Sequence, residues 1–153
     1  MTTNGIGLAR LAEPLVDAGL TRVNVSLDTL RPDRFLALTR RDRLDDVLAG
    51  VDAAASAGLA PIKVNALLMR GVNDDEAVDL VRWAVAAGHE LRFIEHMPLD
   101  AGHTWRRDEM ITGAEILARL GEAFTLTPLA GRGAAPAERW LVEFEGAGLD
   151  GVI

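Results

Sequence analysis

The chain has 153 residues, 49% of them hydrophobic, and carries 16 basic against 23 acidic side chains for a net charge of −7. That length buries one core, and the acidic balance without a long basic run argues against a nucleic-acid surface. No apolar run approaches the roughly 18 residues of a membrane span, no signal peptide precedes the first helix, and cysteine is absent, so the sequence reads as soluble and cytoplasmic, with no disulfide, thiolate-bound zinc or thiolate-held iron–sulfur cluster.

Met1 to Gly5 reads as the end of a strand and the turn after it. Gly7 to Ala18 has helical spacing through Leu8, Leu11, Leu15 and Val16, with Pro14 expected to kink it or start a second helix and Gly19 to end it. Arg22 to Asp28 alternates as a strand, Val23, Val25 and Leu27 on one face, Asn24, Ser26 and Asp28 on the other. Thr29 to Arg43 is an Arg-rich connection with a short helix near Asp33 to Leu38, and Arg40, Arg41 and Arg43 read as a solvated face beside Asp42, Asp45 and Asp46.

A helix follows from about Leu44 to Ala57, with Leu44, Val47, Leu48, Val51 and Ala55 inward and Gly58 as its stop. Pro61 to Met69 is a strand whose Ile62, Val64, Ala66 and Leu68 face one way and Lys63 and Asn65 the other; Lys63 is the only lysine, against fifteen arginines. Asn73 to Glu76 opens the next helix, Asn73 as its capping side chain, and Gly88 closes it before the strand Glu90 to Pro98. Three helices thus end in Ala-Gly and run into strands, the pattern of a parallel sheet with crossover helices, either half a βα barrel or one side of an open α/β sheet.

Leu99 to Arg107 is a polar loop, Thr112 caps a helix to about Phe124 through a capping box with Glu115, and Phe124 to Leu129 is short and β-like. Gly131 to Pro136 is a linker, Trp140 to Phe144 alternates as a strand, and Gly146 to Ile153 ends without a terminating helix.

Ligands of parallel α/β sheets gather at the carboxyl ends of the strands. Thr2, Thr3, Asn4, Ser26, Asp28, Lys63, Asn65, Glu95, His96 and Met97 fall there. Ser26 and Asn65 equally fit inward residues that bond one another, Asp28 fits a turn cap, Lys63 fits an ion pair with Asp28 or Glu95, and Met97 fits core. His89 and His103 are too isolated to build a metal site. The residues alone leave open a Schiff-base aldolase built on Lys63, a phosphate-holding site with Ser26 or Asp28 on a ribose, and a non-catalytic nucleotide-binding module.

Thr-Thr-Asn-Gly at 2–5, Arg-Val-Asn-Val-Ser-Leu-Asp at 22–28, Lys-Val-Asn at 63–65, Met-Arg-Gly-Val-Asn-Asp-Asp-Glu at 69–76 and Arg-Phe-Ile-Glu-His-Met-Pro at 92–98 occur in order. Together they resemble the molybdenum-cofactor GTP 3′,8-cyclase family of radical S-adenosylmethionine enzymes. The resemblance implies a partial βα barrel, of which residues 1–128 are the second half and 129–153 the start of a C-terminal extension. It implies GTP and S-adenosylmethionine as ligands and two [4Fe–4S] clusters as cofactors. In that family a 5′-deoxyadenosyl radical takes hydrogen from the ribose C3′ of GTP, and the ribose radical attacks C8 of guanine.

By motif position Thr2 and Lys63 resemble GTP contacts and Ser26 and Met97 S-adenosylmethionine contacts, with Asn4, Asp28, Asn65 and Glu95 as supporting polar residues. The family's cysteine loop and Gly-Gly-Glu segment have no counterpart here. The expectation is an internal fragment, inactive alone, with no nucleic-acid or membrane partner and open sheet edges prone to self-association.

Overall fold

The computed structural model describes residues 1–97, 106–130 and 138–143 and the backbone of 150–152. The linker over 131–136 and most of the loop over 99–107 lie outside the described residues. Strand β1 (Thr2–Thr3) leads through a turn to helix α1 (Leu8–Asp17), then β2 (Val23–Ser26), α2 (Pro32–Thr39), α3 (Leu44–Ser56) and β3 (Ile62–Leu67). A 3₁₀ turn at Asp74–Glu76 precedes α4 (Ala77–Ala86) and β4 (Glu90–Ile94), and α5 (Gly113–Gly121), β5 (Thr125–Pro128), β6 (Trp140–Glu143) and β7 (Asp150–Val152) follow.

The first four strands form one parallel sheet in the order β1-β2-β3-β4, with crossover helices between them, as the sequence pattern implies. The last three form a separate antiparallel sheet, of which only β5 falls within the segment assigned to the barrel from the sequence. Its strands β5 and β6 lie on either side of position 128, so this small sheet is shared between the two segments proposed from the sequence.

Each sheet face follows from period-2 alternation. Val23, Val25, Leu27, Ile62, Val64, Ala66, Leu68 and Leu91 are all buried, and they share one core with Leu8, Val47, Val51, Leu80, Val81 and Ala84 of the helices. In α3 the buried set is Leu44, Val47, Gly50, Val51 and Ala54, so the inward stripe runs through Ala54 where Ala55 was expected; Ala55 is exposed. Pro14 does not start a second helix: α1 runs through it as one element, and it lies on the exposed side, away from buried Leu8 and Ala12.

The three Ala-Gly endings close identically. Leu20, Leu59 and His89 each donate their N–H to the carbonyl five residues back, at 2.9, 3.0 and 2.8 Å, across a left-handed glycine. The Thr112–Glu115 capping box is present in both halves. With the Thr112 amide, Arg70 and the Thr112 hydroxyl around it, the Glu115 carboxyl is held down at about 2.

Asn73 does not cap a helix, contrary to expectation. It is fully buried, its Oδ1 accepts from Met69 N at 2.8 Å, and its Nδ2 donates to Asp28 O at 2.7 Å and Leu67 O at 2.9 Å. Both turns leaving β2 and β3 therefore have their free backbone groups occupied by one side chain. Beside it, buried Glu76 accepts from Thr29 Oγ1 at 2.7 Å, Leu30 N at 2.9 Å and Arg34 Nη1 at 2.8 Å. Arg34 also forks onto Asp75 and lowers its carboxyl.

The β1–α1 turn lies directly on α3. A Cβ on Gly50 would stand 2.7 Å from the Gly5 carbonyl oxygen, whereas one on Gly121 in α5 would meet nothing within 4 Å. Gly50→Ala forces backbone apart and is expected to cost about 1–3 kcal/mol, read as a lower urea midpoint. Gly121→Ala should leave the midpoint unchanged or raise it.

His89 is buried against Trp83, ring centroids 5.9 Å apart, and burial holds its imidazole below 6.5 despite the charge of Asp52. The unfolded chain then takes up the proton first, so this contribution to stability is complete above about pH 6.5 and declines as pH falls below it. Urea midpoints measured from pH 7.5 to 5.5 should fall, with a shallower slope for His89→Gln.

Candidate functional site

The strand register arranges the polar side chains in rows. Thr2, Asn24, Lys63 and Glu90 are paired across β1 to β4, and one step toward the carboxyl ends Ser26, Asn65 and Arg92 are paired across β2 to β4. All lie on the face opposite the helices, because they alternate with the buried Val23, Val25, Ile62, Val64 and Leu91. Lys63 and Ser26 therefore share a face on adjacent strands.

Lys63 is half-buried and its Nζ sits 2.7 Å from Glu90 Oε2. Its partner is thus Glu90, not the Asp28 or Glu95 expected from the sequence, because Glu90 is its register neighbour and Asp28 lies beyond the end of β2. Glu90 in turn faces Arg139 at 3.9 Å. Thr2 is exposed, and its hydroxyl receives a long contact of 3.5 Å from Asn24 Nδ2.

Asn65 Oδ1 is sequestered from solvent and accepts no hydrogen bond among the described residues, so the anticipated Ser26–Asn65 bond is not formed. An unmet carbonyl oxygen of this kind costs about 1–3 kcal/mol unless a donor reaches it. Asp28 does not cap its own turn. Its Oδ1 accepts from Leu67 N at 2.8 Å, tying β2 to β3, and burial raises its carboxyl, partly offset by that same N–H.

Two sequence candidates sit apart from the rows. Glu95 accepts from Gly113 N at 2.7 Å, an acid at the N-terminus of α5. Met97 is 52% exposed past the end of β4, outside the core. His96 is half-buried next to them, and no group of three or more metal-ligating side chains occurs among the described residues.

Between the ends of β1 and β2 and helix α2 lies a cleft of about 260 Å³ lined by Asn4, Ser26, Asp28, Phe35, Leu38 and Arg41, among others. Arg41 was read as part of a solvated face, and nothing in its sequence neighbourhood marks it off from Arg40 or Arg43. Glu90 and Arg92 were within reach of the alternation rule, which places them on the same face as Lys63 once the strand is counted from its first residue.

No helix of the described residues is long and apolar enough to cross a membrane. Curated proteins named GTP 3′,8-cyclase are similar to this chain: that of Streptomyces coelicolor is 62% identical over 94% of the chain and 42% of its own length. Those of Paenarthrobacter nicotinovorans and Mycolicibacterium smegmatis are 59% and 54% identical, each over 100% of the chain and 44% of the relative. The chain thus spans about two fifths of the length of these relatives. A solved structure described as TYW1 with a lysine-pyruvate adduct bound has the same fold, with a TM-score of 0.55 at 19% identity over 82% of this chain and 41% of that one. The model of the radical SAM superfamily matches residues 1–84, more than half of the sequence, and the chain belongs to that superfamily.

Proposed function

We propose that this chain is the GTP- and S-adenosylmethionine-facing segment of a GTP 3′,8-cyclase. Residues 1–128 would form the second half of a partial βα barrel and 129–153 the start of a C-terminal extension. The observation that carries the reading is the placing of Lys63 and Ser26 on one sheet face, opposite the buried apolar set of the strands, beside relatives bearing the cyclase name.

In this reading Lys63 and Thr2 receive GTP. Lys63 supplies the ammonium for a phosphate oxygen, and Thr2, at the other end of the same row, supplies a hydroxyl. Ser26 and Met97 receive S-adenosylmethionine, Ser26 through its exposed hydroxyl and Met97 through its exposed thioether. Asn65 contributes its unmet Oδ1, which suits an N–H or O–H of either ligand. Asn4 and Asp28 support from the strand ends, and Glu95 steadies the start of α5. Arg92 adds a second cation in the row of Ser26. The aldolase alternative is not favoured: a Schiff-base amine has to be neutral, and Lys63 is ion-paired with Glu90.

The family's clusters are thiolate-held, and this chain has no cysteine to offer them. Its residues do not fit the clusters, so no step of the radical chemistry is assigned to them. Supplied with iron, sulfide, reductant, S-adenosylmethionine and GTP, the chain alone is expected to release no 5′-deoxyadenosine above a protein-free control.

Binding tests the reading directly. A charge-assisted contact at Lys63 contributes about 1.5–3 kcal/mol, less than the roughly 4 kcal/mol that 1 mM affinity requires, so GTP should bind weakly. In an NMR titration Lys63→Ala should weaken GTP about tenfold or more. Glu90→Gln, which removes the carboxylate competing for the ammonium, should tighten it. Unchanged affinity in Lys63→Ala, or weaker binding in Glu90→Gln, contradicts the assignment.

A further inference from the structure

Helix α1 carries an apolar flank that its own core does not use. Leu8 and Ala12 are its buried residues, and Leu15 and Val16 pack partly against the core. At about 100° per residue, Leu11, Pro14 and Ala18 form a separate stripe to one side of that line. All three are exposed, Leu11 to 53%. The other side of the helix belongs to α3, where a Cβ on Gly50 would stand 3.0 Å from Leu8 Cβ and 3.6 Å from Ala9 N.

The stripe adjoins an open strand edge. The crossover from β1 to β2 lays α1 over those two strands, and the flank turned away from α3 overhangs β1. Among the described residues β1 has β2 as its single strand neighbour, and exposed Met1 stands at its start. Unpaired backbone groups and apolar side chains thus share one side of the molecule. We propose that this side is a homodimer interface, on which a second copy of the chain docks about a twofold axis.

Charge selects a second copy as the occupant. Arg10 and Asp17 are exposed at opposite ends of the stripe, and neither has an oppositely charged group within 4 Å among the described residues. Both are set against the helix dipole, the cation in the first turn and the acid in the last, so the stability of α1 does not account for them. A twofold axis lays two copies of α1 antiparallel, and Arg10 of each copy then meets Asp17 of the other. Glu13 falls on the far side of the wheel, so like charges are not brought together.

Spacing agrees. Paired strands lie about 4.8 Å apart, so joining β1 to β1 of the copy sets the two α1 helices, each over its own β1–β2 pair, about 10 Å apart. Packed helices stand about 8–10 Å apart. One axis normal to the sheet produces both the antiparallel strand pair and the antiparallel helix pair. The contact is small, and association in the micromolar range is expected of it.

The interface is independent of the ligand assignments above, and sedimentation equilibrium of the full chain across the micromolar range tests it. The native chain should pass from monomer to dimer and no further, because a twofold contact closes. Leu11→Glu, an exposed position whose folding circular dichroism checks, should raise the dimer Kd at least tenfold. Arg10→Asp and Asp17→Arg should each weaken the dimer, and the double variant should recover the native Kd to within about threefold, a rescue that loss of folding would not give. A monomer throughout, a dimer unmoved by Leu11→Glu, or a double variant no tighter than the single ones overturns the interface. A chain that is monomeric alone and gains mass only with the portion of a cyclase relative that it does not match assigns this side to that portion and overturns the second copy as its occupant.

Discussion

The fixed point of this structure is a buried carboxylate. Glu76 is 1% exposed and is satisfied by a hydroxyl, a backbone N–H and a guanidinium drawn from Thr29, Leu30 and Arg34, more than forty residues away in sequence. Removing one partner of such a group leaves a charge without compensation, at about 3–5 kcal/mol, so the arrangement holds as a unit or fails as one. With Asn73 beside it bonding Asp28 O and Leu67 O, it clamps the exits of β2 and β3 together. Ser26 and Asp28 stand immediately before that clamp, and α2, whose far end carries Arg41 to the cleft, starts immediately after it. The candidate site is therefore suspended from a buried polar core.

The second constraint is the asymmetry of the sheet. Crossover helices cover one face, so in β2 to β4 every strand residue aimed at them is apolar and the polar residues occupy the other face; in β1 the helix-facing position is Thr3. The same alternation that builds the core thus collects Thr2, Asn24, Ser26, Lys63, Asn65, Glu90 and Arg92 without further specification. What distinguishes them is electrostatic state. Lys63 waits in an ion pair, Asn65 has an unmet oxygen, and Arg41 has no carboxylate partner among the described residues. These are the groups with free energy to gain from a ligand.

Much of this was legible in the residues because it depends on local rules. The three Ala-Gly stops, the Thr112 capping box and the polar and apolar faces of the strands at 22–28 and 61–69 follow from short-range sterics and period alone. Asn73 misled because a cap and a long-range clamp use the same side-chain atoms, and only the return of β2 beside β3 selects the second. Lys63 was placed on the correct face but given the wrong partner, since pairing register is a tertiary fact. Arg41 was invisible for the same reason: three arginines within four positions look alike until α2 folds one of them over the end of β2.

Everything said of the site depends on the β2–β3 register, because a slip of one residue would turn Lys63 and Asn65 into the helix layer. The absence of native cysteine makes that register directly measurable. Paired residues on adjacent parallel strands lie about 5 Å apart, within disulfide reach. A Ser26→Cys, Asn65→Cys double variant is predicted to cross-link under mild oxidation, and Ser26→Cys, Val64→Cys is not. Cross-linking of the second pair in preference to the first would contradict the shared face of Lys63 and Ser26 and, with it, the site.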